Sequence, residues 1–131
     1  MIVVDASVLT EMLAFGGSRG DRAARVLERD LDWCAPEHWK AELFSAIRGL
    51  MLGGQLREAD ALWVVERIPR LAIEHVDLDG LLDDMWKLRH EVSGYDAAYV
   101  ALAQRRGLTL VTADARLARA AVRHCRVESL A

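Results

Sequence analysis

The sequence predicts an α/β protein, a three-layer α/β/α sandwich around a small parallel sheet of four to five strands. Three observations lead to this prediction. Short apolar runs, such as IVV at 2–4 and LTLV at 108–111, are continuous instead of alternating, which is typical of strands buried on both faces. Segments with helical periodicity separate these runs almost throughout the chain. Strands that alternate with helices form parallel sheets through right-handed crossovers.

In the first half of the chain, glycine and proline indicate where the elements end. The glycines at 16–17 separate the first two helices. Pro36 ends an apolar strand and suits the first turn of the next helix, which the glycines at 53–54 terminate. The predicted elements are a strand at 2–4, helices at 6–14 and 20–30, a strand at 31–36, and helices at 36–52 and 57–67.

The second half of the chain continues the alternation. Asp77 or Asp79 is placed to cap a helix, Gly107 ends another, and Thr112 begins a turn into a third. The strand predicted for the segment RLAIEHV contains several polar residues. The predicted elements are a strand at 70–76, helices at 79–90 and 96–107, a strand at 108–111, a helix at 114–121 and a strand at 125–128.

Composition argues against several classes of protein. The 131 residues fit one domain, 1–131, and no apolar run approaches the ~20 residues of a membrane span. The first residues lack the order of a signal peptide, so we expect a cytoplasmic protein. Cys34 and Cys125 form no zinc motif with the four histidines, and we predict both to be small hydrophobic core residues.

Four carboxylates fall where a parallel sheet places a binding site. The C-terminal ends of parallel strands share one edge, and ligands bind there. Asp5 ends the first strand, and Asp114 closely follows LTLV. Glu42 lies beside the apolar stripe of its helix, and Asp96 begins a helix one turn before the apolar stripe of that helix. We therefore expect the four carboxylates to converge.

Each aspartate also has a purely structural interpretation. Asp5 and Asp114 could cap the helices that follow them, and Asp96 could stabilise the N-terminus of its own helix. Glu42 falls inside the predicted helix at 36–52, where we expect it to have no capping role. Four clustered carboxylates would repel one another and raise one another's pKa unless a divalent cation neutralised them. Mg²⁺ prefers such oxygen ligands.

Three motifs occur in a specific order: VVDASVL at 3–9, YDAAYVALA at 95–103 and LVTADARLA at 110–118. With Glu42 between the first two, this order resembles the PIN-domain ribonucleases, and within them the VapC toxins of toxin–antitoxin pairs. The resemblance covers the whole chain.

The resemblance implies an endoribonuclease that depends on Mg²⁺ or Mn²⁺. Its catalytic and metal-binding acids would be Asp5, Glu42, Asp96 and Asp114. Ser7 and Thr112 would support them by orienting a carboxylate or a water molecule. Some members of the family carry a further acidic or amide residue shortly after the last aspartate, where this chain has Arg116 and Leu117. This difference argues against a fully formed second metal site.

The resemblance also implies an RNA substrate, a homodimer and a VapB-type antitoxin, whose peptide would lie near the first, second and fourth helices. Trp63 and Trp86 add to the apolar residues available for such contacts. The net charge of −3 does not indicate nucleic-acid binding, although six arginines follow residue 101. Of these, Arg116, Arg119 and Arg123 share one helix face that could contact RNA phosphates or only solvent. Tyr95 could stack on a base or pack against the protein.

Other classes of α/β protein fit the sequence less well. A phosphoacceptor receiver domain needs an acidic pair after the first strand and a late lysine, and Ala6 and the LVTAD segment supply neither. A phosphatase of the haloacid-dehalogenase type needs a second aspartate where Ser7 stands. A PIN-like module that binds RNA or protein without catalysis is the remaining alternative, although all four acids are present.

Overall fold

Five parallel strands form the sheet of the computed structural model, which describes residues 1–131. The strands are β1 (Ile2–Val4), β2 (Trp33–Pro36), β3 (Ile73–Val76), β4 (Leu110–Thr112) and β5 (Val127–Ser129). Their spatial order is β3-β2-β1-β4-β5. The chain therefore builds the sheet outward from β1 in one direction and then in the other, which places the switch in strand order between β1 and β4.

Seven helices flank this sheet, and they confirm the predicted α/β/α sandwich. They are α1 (Ala6–Ala14), α2 (Gly17–Leu27), α3 (Trp39–Leu52), α4 (Glu58–Arg67), α5 (Leu82–Lys87), α6 (Gly94–Arg106) and α7 (Ala115–Ala121). Helix α1 contacts α2, α3 and α4, whereas α6 contacts α5 and three strands. None of the helices is both long enough and apolar enough to cross a membrane.

The central strands bring the ends of β1 and β4 together. Val3 pairs with Leu110 and Val4 with Val111, and all four residues are buried. The backbone N–H of Asp5 donates to the carbonyl of Val111 at 3.0 Å, so the pairing continues one residue beyond β1. This register sets Asp5 beside the last residue of β4.

Helix α6 lies in the core. Seven consecutive residues from Ala97 to Ala103 are buried, and four of them are alanines. Their small side chains allow the helix backbone to approach β1, β2 and β4, with which α6 is in contact. Tyr99 is the largest buried side chain in this stretch, and its ring contacts His38 at the start of α3. The helix ends at Gly107, which has the left-handed conformation expected of a C-terminal cap.

Pro36 corrects one predicted boundary. It is the last residue of β2 and does not begin a helix, since α3 starts only at Trp39. Pro36 pairs with Val76 of β3, and the N–H of Glu37 donates to the carbonyl of Val76 at 2.9 Å. Pairing with β3 thus keeps the chain extended through the proline, where local preference had indicated a helical turn.

Three further predictions differ from the structure. The second helix runs from Gly17 to Leu27 instead of 20–30, and Gly17 at its start has a positive φ. The helix predicted at 79–90 is a 3₁₀ turn, Asp79–Leu81, followed by the short α5, and Asp77 accepts a hydrogen bond from the N–H of Asp79 just before that turn. Cys34 is buried as predicted, whereas Cys125 is only half-buried.

The close approach of α1 and α2 gives a test of the packing. A methyl group at Gly20 would overlap the carbonyl oxygen of Phe15, whereas one at Gly49 on α3 would meet open space. We expect Gly20→Ala to lower the free energy of unfolding by about 1–3 kcal/mol, because backbone atoms cannot move aside. The control Gly49→Ala should leave it unchanged or raise it by up to about 1 kcal/mol. Urea denaturation measures both values, and equal effects would contradict this packing.

Candidate active site

Asp5 lies at the centre of the site, buried at the end of β1 with 5% of its surface exposed. Its Oδ2 accepts hydrogen bonds from the hydroxyls of Ser7 at 2.5 Å and Thr112 at 2.7 Å. Asp5 occupies the N-cap position of α1, but its side chain makes no capping hydrogen bond. The capping interpretation of Asp5 is therefore wrong, and its carboxylate faces the end of β4 instead.

The hydroxyls of Ser7 and Thr112 connect the ends of the two central strands. Ser7 Oγ accepts a hydrogen bond from the N–H of Ala113 at 2.9 Å, and Thr112 Oγ1 accepts one from the N–H of Asp114 at 3.0 Å. The two hydroxyl oxygens are 3.3 Å apart. Each hydroxyl thus binds the Asp5 carboxylate and also orders the turn that leads to Asp114.

Asp114 has a capping role that accounts for one of its oxygens. Its Oδ1 accepts hydrogen bonds from the N–H groups of Arg116 at 2.8 Å and Leu117 at 3.2 Å, so it caps α7. The structural interpretation is correct for this oxygen. Because both bonds end on Oδ1, Oδ2 stays available to another ligand, and the cap fixes the direction of the carboxylate.

Asp96 lies in the first turn of α6 but does not cap it. The N-cap is Ser93, whose hydroxyl accepts a hydrogen bond from the N–H of Asp96 at 3.2 Å. Burial is the main cause that raises the pKa of the Asp96 carboxyl, followed by the negative charges of Asp114 and Glu42. The nearby Arg116 guanidinium opposes this rise. Asp96 therefore lies within electrostatic reach of two of the other acids.

The pKa of Asp5 indicates how closely the acids approach one another. This pKa is raised from 3.8 to about 6, mainly by burial and to a smaller extent by the charges of Glu42 and Asp96. The hydrogen bonds from Ser7 and Thr112 only partly oppose this rise. All four predicted acids thus belong to one electrostatically coupled group at the C-terminal edge of the sheet.

Glu42 projects from α3 at the edge of its buried stripe, next to a histidine that the sequence analysis did not single out. Glu42 Oε1 lies 3.2 Å from His38 Nε2, an ion-pair distance. The two groups are not aligned for a hydrogen bond, so both atoms are buried without a hydrogen-bond partner on the protein. The i,i+4 spacing of His38 and Glu42 was the available signal, because such residues are neighbours on a helix.

The oxygen-rich donor set fits a hydrated divalent cation. No group of three or more His, Cys, Asp or Glu side chains lies close enough together to hold a metal ion by itself. A hydrated Mg²⁺ does not require such a group, since it keeps several waters and is usually held by one or two carboxylates. Glu42 Oε1, buried and without a hydrogen-bond partner, is the kind of acceptor that such a cation and its waters satisfy. Asp5 and Asp96, whose charges are disfavoured here, would also be stabilised.

Three arginines of α7 and its C-terminal end border the acids on one side. With Asp96 and Asp114 they line a surface depression of about 310 Å³. They are Arg116, Arg119 and Arg123, the face proposed for RNA contacts. Arg123 lies 3.8 Å from the carboxylate of Glu91, so its guanidinium is less available for phosphate than those of the other two.

The other arginines after residue 101 have structural contacts elsewhere. Arg105 is paired with Asp84 at 3.4 Å, and Arg106 with Glu74 at 2.8 Å. Arg126 donates to the carbonyl of Gly107.

Tyr95 packs against the protein and is nevertheless largely exposed. Its side chain is 68% exposed. The ring contacts His38, with 5.6 Å between ring centroids. Tyr95 therefore packs against the protein on one side and presents an open face beside the acids.

Sequence comparison matches the chain to one protein family and to several similar proteins. Residues 2–123 match the PIN domain family. The chain is 38% identical to ribonuclease VapC9 of Mycobacterium tuberculosis over 89% of this chain and 88% of that protein. It is 30% identical to ribonuclease VapC12 of the same species over the full length of both.

Solved structures show the same fold. The FitAB complex with a DNA fragment superposes with a TM-score of 0.70 at 20% identity, over 98% of this chain and 94% of that chain. Mycobacterium tuberculosis VapC20, described as a toxin that cleaves the sarcin–ricin loop, superposes with a TM-score of 0.68 at 19% identity, over 92% and 95% of the two chains.

Asp5→Asn tests the electrostatic cost of the buried carboxylate. Since folding raises the pKa of Asp5 from 3.8 to about 6, the metal-free native protein loses stability as pH rises through this window, and the loss persists above it. The amide of the variant carries no charge at any pH. We expect Asp5→Asn to raise the free energy of unfolding by roughly 3 kcal/mol at pH 8 and much less at pH 4.5. Urea denaturation with a chelator measures both, and a pH-independent loss of stability would contradict the pKa assignment.

Proposed function

The chain belongs to the PIN-domain family and, within it, to the VapC ribonucleases, and from this premise we propose a toxin endoribonuclease that requires a divalent cation. We infer one PIN domain over 1–131. The observation that supports the proposal is the coupled group of four carboxylates around the buried Asp5. A protein that needed only stability would not retain such a group, because burial and mutual repulsion disfavour the charges of Asp5 and Asp96.

The four acids have different proposed roles, which follow from their surroundings. Asp5 and Asp96 would anchor the cation, since they are the acids whose pKa is raised and whose charge most needs neutralising. Glu42 would bind it through a water or orient the attacking water. Asp114, fixed by its capping bonds, would complete the site through Oδ2.

Mg²⁺ is the proposed cation, and Mn²⁺ would serve in its place. When bound, such an ion activates water for attack on phosphorus and offsets the charge that develops on the phosphate. The protein supplies the orientation: Ser7 and Thr112 fix Asp5, and Arg116 would hold the phosphate backbone beside Asp96 and Asp114. Arg119, Arg123 and Tyr95 would extend this contact along the RNA.

We also infer a VapB-type antitoxin partner, because the relatives are VapC ribonucleases and the FitAB neighbour is a complex. Its peptide would lie near α1, α2 and α4. Large apolar side chains are exposed on α4, namely Leu62 at 56% and Trp63 at 48%. Exposed apolar surface of this kind is typical of protein interfaces, and Trp86 on α5 would contribute to a homodimer.

Asp5→Asn tests the proposed reaction. We expect purified wild-type protein to cleave single-stranded RNA with Mg²⁺ or Mn²⁺ and to stop when a chelator removes the metal. Asp5→Asn should lower the cleavage rate by more than the roughly 10- to 100-fold typical of outer-shell residues, because it removes a ligand. Its circular dichroism spectrum should match that of the wild type.

Asp83→Asn, a change of an exposed acid on α5, is the matched control and should retain full activity. RNA cleavage by Asp5→Asn at the wild-type rate would contradict the site assignment. A wild-type protein that binds RNA but never cleaves it with either metal would favour the binding-only module.

Arg119→Ala tests the RNA-binding face. Binding is measured in the Asp5→Asn background, where RNA stays intact, as a function of salt concentration. Loss of one phosphate contact should weaken binding similarly for all sequences and reduce the slope of log K against log salt by about 0.7 to 1. Arg105→Ala, which breaks a pair with Asp84 away from the site, should leave the slope unchanged. Equal slopes for both variants would indicate that the α7 face contacts only solvent.

A further inference from the structure

Four buried side-chain polar atoms have no hydrogen-bond partner on the protein, and all four belong to one cluster beside the acids. They are Nδ1 and Nε2 of His38, Oε1 of Glu42 and the hydroxyl oxygen of Tyr99. Proteins satisfy most buried polar groups, because each unsatisfied one opposes folding. Every exception in this chain lies in the same place, which singles this cluster out among the buried polar groups of the protein.

The ring of His38 is held firmly in this cluster. Its side chain is only 14% exposed. The imidazole meets the ring of Tyr99 edge-on, at 72° with 5.5 Å between centroids, and is tilted at 52° against Tyr95 at 5.6 Å. Both tyrosines belong to α6, whereas His38 directly precedes α3. Helix α6 thereby fixes the ring whose Nε2 lies 3.2 Å from Glu42 Oε1.

The hydroxyl of Tyr99 approaches the same carboxylate from the core. Burial raises the pKa of this phenol, and the negative charges of Asp5 and Glu42 raise it further. The hydroxyl therefore keeps its proton and can donate it in a hydrogen bond to a carboxylate. His38 and Tyr99 are thus two potential donors beside Glu42, one from its own helix end and one from α6.

We propose that His38 and Tyr99 are positioning residues that hold the Glu42 carboxylate toward Asp5 and Asp96. This inference rests on the proposed function, because it takes Glu42 to be one of the acids of the metal site. It gives His38 and Tyr99 a contact with Glu42 and not with the RNA. Glu42 Oε1 lies 3.2 Å from His38 Nε2, and neither donor has a hydrogen-bond partner in this arrangement. A Glu42 side chain turned to accept hydrogen bonds from both donors would have its carboxylate fixed from two sides.

A purely structural role explains the cluster less well. A phenylalanine would fill the space of the Tyr99 ring without burying an unpartnered hydroxyl. An apolar side chain in place of His38 would still pack against the two tyrosines without burying two unpartnered nitrogens. What the histidine and the phenol share, and the apolar alternatives lack, is a donor close to Glu42.

Tyr99→Phe separates the two roles because it removes one hydroxyl and leaves the ring. We expect its thermal midpoint to equal or exceed that of the wild type, since an unsatisfied buried hydroxyl is removed. We expect kcat for RNA cleavage to fall about 10-fold or more, with KM changed less than about twofold. Mn²⁺ affinity, measured by calorimetry on the RNA-free protein, should weaken by about 3-fold or more for the same reason.

His38 is tested by a pair of variants and a control. His38→Ala should lower kcat and Mn²⁺ affinity as Tyr99→Phe does, and His38→Gln, whose amide keeps a donor at similar reach, should recover most of both. His90→Ala, a change of an exposed histidine, should leave both unchanged. If His38→Ala fails to fold, the kcat and Mn²⁺ affinity of Tyr99→Phe test the positioning role by themselves.

The outcomes distinguish this inference from the proposed function. Wild-type cleavage that Asp5→Asn abolishes, together with unchanged kcat and Mn²⁺ affinity in Tyr99→Phe and in a folded His38→Ala, would overturn the positioning role only. Equal losses in His38→Ala and His38→Gln would also overturn it, because a donor would then not matter. Absence of cleavage by the wild type itself would instead overturn the proposed function.

Discussion

The hydrogen bonds from Ser7 and Thr112 to the buried Asp5 carboxylate are the interaction on which the rest of the site depends. They join the end of β1 to the end of β4, the two strands between which the strand order switches. Through Ala113 and Asp114 the same two hydroxyls set the start of α7. This polar cross-link, made of hydrogen bonds only, thus holds the sheet edge, the turn and the start of the following helix in fixed positions relative to one another.

The charges of Asp5 and Asp96, two of the carboxylates gathered around this cross-link, oppose folding. Burial disfavours the charge of Asp5, and Glu42 and Asp96 disfavour it further. Stability lost in this way is common at the functional sites of enzymes. A divalent cation would offset the repulsion between the carboxylates, because the negative groups would then lie around a shared positive ion. The buried atoms of His38, Glu42 and Tyr99 that lack hydrogen-bond partners lie in the same unfavourable environment.

Much of the fold could be predicted because it follows from local patterns. Continuous apolar runs identified the central strands, and helical spacing identified α1, α3, α4 and α6 within a few residues. The four acids could be placed at one edge because parallel strands all end there. The predictions failed where pairing or packing opposed a local preference. Pro36 stays extended because β3 pairs with it, and α2 begins at Gly17, inside the break that the glycines suggested and three residues before the predicted start at 20.

The sequence by itself determined the α/β class, the membership in the PIN-domain family and the identity of the four acids. These depend on the order and spacing of residues along the chain, which the sequence records directly. Only the tertiary structure decided which of the clustered arginines border the acids. It also decided that Asp114 caps a helix while Asp5 does not, and that the rings of His38 and Tyr99 are in contact where His38 lies beside Glu42. Periodicity shows which side of its own helix a residue occupies, but the partner across from it is set by strand order and helix packing, which bring distant segments together.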